Sequence, residues 1–492
     1  MSLLFTQPGK TYHESGPIGN GRLGAMDLGG VSDQRVVLNE SSMWSGGPYE
    51  TNRAGAWKCL PEVRRLLFDG KICAANALLK QHFRYPDGVK GWGDINQFGC
   101  YQVLGDLRLQ HELGSGTAEA YRRDLNLLTG VARTTFTQDG VTFTRELVAS
   151  KESEVIALRL RASKPGALTF TAALSRDHHV TAGADGVAHR IAGQRPYNHP
   201  GGGGEGIRDL ALLGAKAQGG TVSVDDKGIR VAGADTVTLV ISAGTSLRNP
   251  GYERQVRTRL TAALEKGYEA IRAAAVADHS ALMNRCRLEL PAGPNSGLPT
   301  PERVKRVKQE PDPQLAALFF QFGRHLLISS SRPDSPLPAN LQGIWAAEYS
   351  TPWRGDFHSN INLQMNYWPA EVTGLAECHL PLMRFLEGMV AEGRKTAKAY
   401  YNAPGWMANH TQNPWFDTAP SHLPACIGPT CGAWLAQHIW THYQFTGDRE
   451  FLKRYYPILR EASEFCAAVL VEDPEPVSYT HLRAHETERT IS

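Results

Sequence analysis

The sequence predicts a multidomain β-plus-α protein: an N-terminal antiparallel β-sandwich, a helical linker and part of an (α/α)6 barrel. Two observations carry this. Up to about residue 250, short apolar runs are separated by turn signals, the pattern of a large sandwich. From residue 252 the apolar spacing turns helical, in long segments joined by loops rich in Asn and aromatic residues. The boundaries fall at 1–250 for the sandwich, 251–311 for the linker, 312–476 for the barrel portion and 477–492 for a non-native tail.

Taken in order, 133–137 and 141–145 flank Asp139-Gly140, a dipeptide suited to a type I′ turn because both residues accept positive φ. Further strands are expected at 155–161, 168–174, 221–224, 229–232 and 236–242. One helical insertion interrupts them around 61–81. Residues 252–285, rich in Ala, Leu, Arg and Glu, read as a connecting helical segment, followed by a Pro/Gly-rich stretch at 291–301. Amphipathic helices are expected at 313–329, 363–373, 382–401, 431–445 and 450–471. These are too few to close an α/α barrel, so the helical domain is expected to be incomplete. Residues 477–492 back-translate to something that looks like a transposase-type sequencing adapter read in frame. They are set aside as a scar, and His481, His485, Glu486 and Glu488 with them.

The bulk composition excludes several classes. Lys and Arg total 52 against 49 Asp and Glu, a formal charge of +3, with no electrostatic footprint for nucleic acid or an anionic membrane. No run approaches the ~20 apolar residues of a membrane span. The first eight residues lack the basic region and apolar length of a secretory leader, so none is expected on this start; a segment lost upstream would leave localisation open. The eight cysteines are scattered and form no CxxC, which favours buried thiols over a disulfide or zinc framework. Residues 201–204 are all glycine but lack the Lys-Ser/Thr of a phosphate loop, and a hairpin tip is expected there. His438 and His442 have i,i+4 spacing without the glutamate of HExxH, which reads as helix packing or surface.

The densest chemistry lies in 338–345 and 351–371, where Asn340, Gln342, Trp345, Trp353, Asp356, His358, Asn360, Asn362, Gln364, Asn366, Tyr367, Trp368 and Glu371 crowd together. Amides are costly to bury unless satisfied. Planar amides fork onto vicinal hydroxyls and rings cover apolar sugar faces, so the cluster points to a carbohydrate site. Residue by residue there is a plainer reading, with Asn360 or Asn362 capping the following helix and the aromatics as core.

These motifs resemble glycoside hydrolase family 95, the α-L-fucosidases acting on α-1,2-linked fucose. The resemblance is carried by Asn340-Leu341-Gln342-Gly343-Ile344-Trp345, Asn360-Ile361-Asn362 and the run 364–371. It extends to Pro17-Ile18-Gly19-Asn20-Gly21-Arg22-Leu23-Gly24, Leu38-Asn39-Glu40, Trp44-Ser45-Gly46-Gly47-Pro48, Tyr101-Gln102-Val103-Leu104-Gly105-Asp106 and Gly432-Ala433-Trp434-Leu435, over essentially residues 1–474.

The resemblance implies an N-terminal supersandwich and hydrolysis of terminal α-L-fucosyl residues with inversion, on a fucosylated glycan, without metal or organic cofactor. It implies that Asn360 and Asn362 position water while a glutamic acid and an aspartate beyond this sequence supply acid and base, since an amide is a poor base. Sugar contacts are expected from His358, Trp353, Gln342, Trp345, Asn366, Trp368, Glu371, His410 and Asp417. In the family, His at the position of His358 goes with fucose and a smaller Thr with galactose. Of the carboxylates Asp356, Glu371, Glu377 and Asp417, Glu371 either supports the site or is helix-surface charge. Where the family tends to carry an aspartate after two histidines, an asparagine and a threonine, this chain has Asn409-His410-Thr411-Gln412-Asn413, which leaves contacts there open. The alternatives are an α-L-galactosidase, a related disaccharide phosphorylase, for which no dedicated phosphate cluster is seen, and a glycan-binding fragment without turnover.

Overall fold

Asp139 and Gly140 take φ values of 50° and 73°, the type I′ geometry whose twist matches its flanking strands. They close a hairpin between Val131–Gln138 and Val141–Ser150 in which Gln138 faces Val141. The computed structural model describes residues 1–421 and 427–472; the stretch 477–492, Cys426 and the end of the expected barrel portion lie outside the described residues.

The hairpin belongs to a nine-stranded antiparallel sheet. Its order is Ser2–Phe5, Glu119–Asn126, Val131–Gln138, Val141–Ser150, Val155–Ala162, Thr236–Thr245, Arg208–Gln218, Ala188–Gln194 and Thr181–Asp185. A second sheet runs Thr221–Asp225, Gly228–Ala234, Leu168–Ser175, Gly105–His111, Asp33–Glu40, Leu23–Asp27 and Gly16–Gly19. Leu107, Leu109, Phe170 and Leu174 of the second sheet share one core with Leu147, Leu158, Leu160 and Leu239 of the first. Residues 201–204 join two neighbouring antiparallel strands, with Gly202 and Gly203 at positive φ.

The helical insertion expected around 61–81 is made of two helices, α1 (Leu60–Phe68) and α2 (Ile72–His82). Gly70, at φ 71°, turns the chain between them. Likewise 252–285 folds as α3 (Tyr252–Lys266) and α4 (Tyr268–Met283), broken at Gly267, whose φ of 77° a side chain would resist. These two helices do more than connect. Val256, Leu260, Tyr268 and Ile271 cover Val148, Val155, Ala157, Leu212 and Val240 on the outer face of the nine-stranded sheet. The start of strand Val155–Ala162 is therefore buried on both faces, and Val155-Ile156-Ala157-Leu158 reads as a continuous apolar run.

After α5 (Thr300–Arg306), the barrel portion comprises α6 (Pro313–Ser330), α7 (Asn362–Val372), α8 (Leu380–Tyr401), α9 (Cys431–Thr446) and α10 (Arg449–Val469). Asp312 and Asp448 cap α6 and α10 through the amides of Leu315 and Phe451, each at 3.0 Å. On α7, Ile361, Met365, Trp368 and Val372 form an exposed stripe at helical spacing.

The glycine-rich motif around Gly19 docks the sandwich on the barrel portion. A Cβ at Gly19 would stand 2.3 Å from the Ser329 carbonyl oxygen of α6. Trp345 Nε1 donates to the Ile18 carbonyl (2.9 Å), His325 Nε2 to that of Pro17 (2.8 Å), and Tyr101 Oη to that of Ile344 (2.6 Å). Backbone-to-backbone approach of this kind has no room for side chains, which accounts for the glycines.

Candidate active site

The loop before α7 is held in a costly shape. Trp353 and Arg354 are consecutive non-glycine residues at φ 48° and 65°, left-handed values that cost about 1–2 kcal/mol each. The neighbours enforce them. Tyr101 N donates to the Arg354 carbonyl (2.7 Å), Thr351 Oγ1 to that of Tyr101 (2.9 Å), and the Arg354 guanidinium lies 5.2 Å from the Trp92 ring, bonded to the Trp92 carbonyl. Strain fixed from several sides is what functional loops carry. It leaves Trp353 68% exposed, its ring free to meet a ligand.

Next comes Asp356, fully buried. Trp92 Nε1 donates to its Oδ2 at 2.9 Å, and His358 Nδ1 is hydrogen-bonded to its Oδ1. Burial raises the Asp356 pKa, and the bonds from His358 and Trp92 offset this only in part. Phe357 and His358 pair antiparallel with Gln412 and Thr411, and the rings of His358 and His410 meet edge-on at 5.1 Å. Phe357 turns the other way, stacked on Trp44 at 5.5 Å. Alternation along this two-residue strand thus anchors Phe357 in the core and leaves His358 on the accessible side.

Asn360 is exposed and Asn362 half-buried at the first turn of α7. Neither caps the helix: the N-cap position is Ile361, and no side chain accepts there. The capping explanation for these asparagines fails. Gln364 is buried against the Ser359 carbonyl (2.5 Å), while Asn366 Nδ2 donates to the Asn340 carbonyl (3.1 Å) and so ties α7 to the Asn340–Gly343 turn. Gln342 lies beside Gly355. His358, Asn360, Asn362, His410, Trp353 and Gln342 therefore cluster around the start of α7.

The remaining expected contacts lie elsewhere. Trp345 is 5% exposed and committed to the domain interface. With Gln342 and Asn366 it borders a separate cavity of about 480 Å³. Asp417 is buried under another cavity of about 300 Å³ with Tyr49, Thr51 and Trp415. It accepts from Tyr85 Oη (2.7 Å) and from Ala419 N (3.0 Å), and burial pushes its pKa up to about 7. Trp368 and Glu371 sit toward the other end of α7.

Glu371 is not helix-surface charge. Its side chain is 2% exposed, and it accepts from His379 Nδ1 (2.7 Å) and His442 Nδ1 (2.6 Å). Burial raises its pKa, but the two imidazole bonds outweigh burial and hold it below the usual range. His438 and His442 pack inside, as helix spacing suggested, yet their meeting with His379 and Glu371 was invisible to spacing. Trp92 was missed too; its only signal was a tryptophan between Gly91 and Gly93.

Asn413 explains one departure in the sequence. Buried, it accepts from the amides of Trp415 (3.0 Å) and Asp417 (3.2 Å) and donates to the Phe98 carbonyl (2.7 Å). An aspartate there would have no proton to give Phe98 unless neutral.

Two family models tile the chain: the glycosyl hydrolase family 65 N-terminal domain over residues 3–250, and the glycosyl hydrolase family 95 catalytic domain over residues 267–490. The chain belongs to glycoside hydrolase family 95. It is 33% identical over 513 residues to Alpha-L-fucosidase 2 of Arabidopsis thaliana, covering 96% of this chain and 59% of that protein. To Probable alpha-fucosidase A of Aspergillus niger it is 32% identical over 504 residues, covering 93% and 59%. The chain thus spans about three-fifths of the length of these relatives. Among solved structures, a putative kojibiose phosphorylase from the human microbiome matches 95% of this chain and 58% of its own with a TM-score of 0.55. At 11% identity that likeness speaks for the fold alone.

Proposed function

We propose that the chain belongs to an inverting α-L-fucosidase and carries the water-positioning side of its site. The observation behind this reading is the start of α7, where Asn360 and Asn362 stand uncommitted to helix capping beside an imidazole fixed by a buried carboxylate. Water held by two amides can be aimed at an anomeric carbon, while a carboxylate elsewhere takes its proton. Inversion needs room for that water between acid and base. The names of the relatives, alpha-L-fucosidase 2 and probable alpha-fucosidase A, support fucose as the sugar. His358 supports it too. With Nδ1 engaged by Asp356, its outer edge is held in one orientation, and a fixed ring edge closing on C6 accommodates the methyl of fucose better than the hydroxymethyl of galactose. Trp353 and His410 are the aromatic walls of this subsite, while Asn366 supports it from behind by tying α7 to the Asn340–Gly343 turn.

The test is kinetic. In the active protein, Asn362→Ala is expected to lower kcat by roughly 10²-fold or more, and Asn360→Ala by less, on an α-1,2-fucosylated oligosaccharide. KM should move little, because water placement matters on the way to the transition state. Changes confined to KM in both variants would make these residues sugar ligands and remove the nucleophile-positioning role.

A further inference from the structure

At the end of α7 remote from Asn362, three helices bring Glu371, His379 and His442 together. Glu371 comes from the last turn of α7, His379 from the turn entering α8, and His442 from α9. Their side chains are 2%, 1% and 7% exposed. Both imidazoles aim Nδ1 at one oxygen, Oε1, while Glu371 Oε2 is buried without a hydrogen-bond partner among the described residues. A carboxylate has lone pairs on both oxygens and normally shares its donors between them. Crowding two nitrogens onto one oxygen while stranding the other is poor hydrogen bonding. It is good preparation for a cation: two imidazole nitrogens and a carboxylate oxygen lie within 4.8 Å of one another.

We infer that Glu371, His379 and His442 form a binding site for a zinc-class divalent cation that braces α7, α8 and α9. Two imidazoles and one carboxylate are a donor set that suits zinc and its neighbours better than calcium or magnesium, which prefer oxygen. The rings are already held in place. His379 lies flat on Tyr367 (interplanar angle 9°) and its Nε2 is bonded to His438 Nδ1 at 2.8 Å, while His442 packs on Phe451 at 4.3 Å. A ligating histidine almost always has such an outer partner on its second nitrogen. When the ion takes Nδ1 of His379, the displaced proton goes to Nε2 and is donated to His438 Nδ1, whose own proton shifts to its Nε2, so both rings stay neutral. A cavity of about 180 Å³ bordered by Trp368, Glu371, His379, Trp434 and His438 gives access and room for a water ligand. About nine helical residues separate the site from Asn362, or ~13 Å along the axis. The ion would therefore stiffen the frame behind the candidate active site without touching a sugar there. The inference does not rest on the fucosidase reading.

The test uses the full chain stripped with a chelator and dialysed against Zn²⁺ or Co²⁺. We expect one ion per chain, visible Co²⁺ bands of a nitrogen-containing low-coordinate site, and a rise in Tm on loading. His438→Gln should weaken binding by ~10–100-fold, the usual effect of losing an outer partner. Glu371→Gln should weaken it further. No ion retained above the buffer blank, or unchanged binding in folded Glu371→Gln, would overturn the site. Should Glu371→Gln fail to fold, the unmodified chain loaded with Cu²⁺ decides: absence of imidazole nitrogen coupling in its spin-echo spectrum overturns the site equally.

Discussion

The two ends of α7 hold the same chemical pair in different settings. Before its first turn, buried Asp356 receives one imidazole and one indole, and its pKa is raised. In its last turn, buried Glu371 receives two imidazoles, and its pKa is lowered. Asp417 extends the comparison. It accepts from a phenol, a backbone amide and the Thr51 hydroxyl but from no imidazole among the described residues, and burial carries it to about 7. Burial penalises all three charges, least completely at Glu371, and the imidazole donors that answer it number two at Glu371, one at Asp356 and none at Asp417 among the described residues. The difference also divides their uses. His358 is half-buried and reaches the candidate active site, whereas His379 and His442 are buried among helices at the far end of α7.

The largest expected effect breaks the far end. Glu371→Ala in chelator-treated protein removes the acceptor of two buried imidazole N–H groups. It should cost about 3 kcal/mol in denaturant unfolding, at ~1–3 kcal/mol for each orphaned donor. A loss below ~1 kcal/mol would mean the cluster contributes little to the fold.

Asp417 sharpens the comparison through pH. Its folded pKa of about 7 lies above its ordinary value of 3.8, so the stability linked to its neutral form is full below pH 3.8 and is lost as pH rises through 7. Between pH 5 and 8 the unfolding free energy should fall by about 2–3 kcal/mol on this account, at ~1.4 kcal/mol per pH unit. Asp417→Asn should abolish that part of the slope; an unchanged slope would show that Asp417 is ionised throughout.

At the open end the readout is catalytic. An amide in Asp356→Asn offers one acceptor oxygen where Trp92 and His358 need two, so His358 loses its fixed orientation. In the active protein kcat/KM should fall by roughly 10–10²-fold, the scale of a small misplacement, with little change in Tm. A loss of stability without this kinetic effect would make Asp356 a structural anchor only. The smallest effect concerns choice of sugar. His358→Thr should narrow the preference for fucosides over galactosides by about tenfold, within the ~10²-fold that rejection of one hydroxyl allows. An unchanged ratio would take His358 out of specificity.

How much of this was legible depended on whether the signal was local. The strands at 131–162 and 236–245 follow alternating or continuous apolar runs and are plain in the sequence. Arg208–Gln218 was not: six consecutive buried residues, Asp209 to Gly214, rich in Leu, Ala and Gly, show no alternation because α3 covers their outer face. The boundary between α3 and α4 turned on one isolated glycine, a weak mark in an Ala-rich helix. His358, Asn360 and Asn362 were visible because they are adjacent and chemically dense. Glu371, His379 and His442 come from three helices, and the spacing that did show, His438 to His442, paired two residues that serve different neighbours.

Trp92 belongs to the sandwich side of the molecule, yet its indole holds Asp356 and its carbonyl holds Arg354. The sandwich is thereby a structural part of the candidate active site, and the seam between domains acts mechanically. A slip of the sandwich over the helices by little more than an ångström would draw the indole off the carboxylate and let the left-handed turn at Trp353 relax. Pressure, mild denaturant or a wedge in the Gly19 contact would then register first as a change in the orientation of His358, well before either domain unfolds.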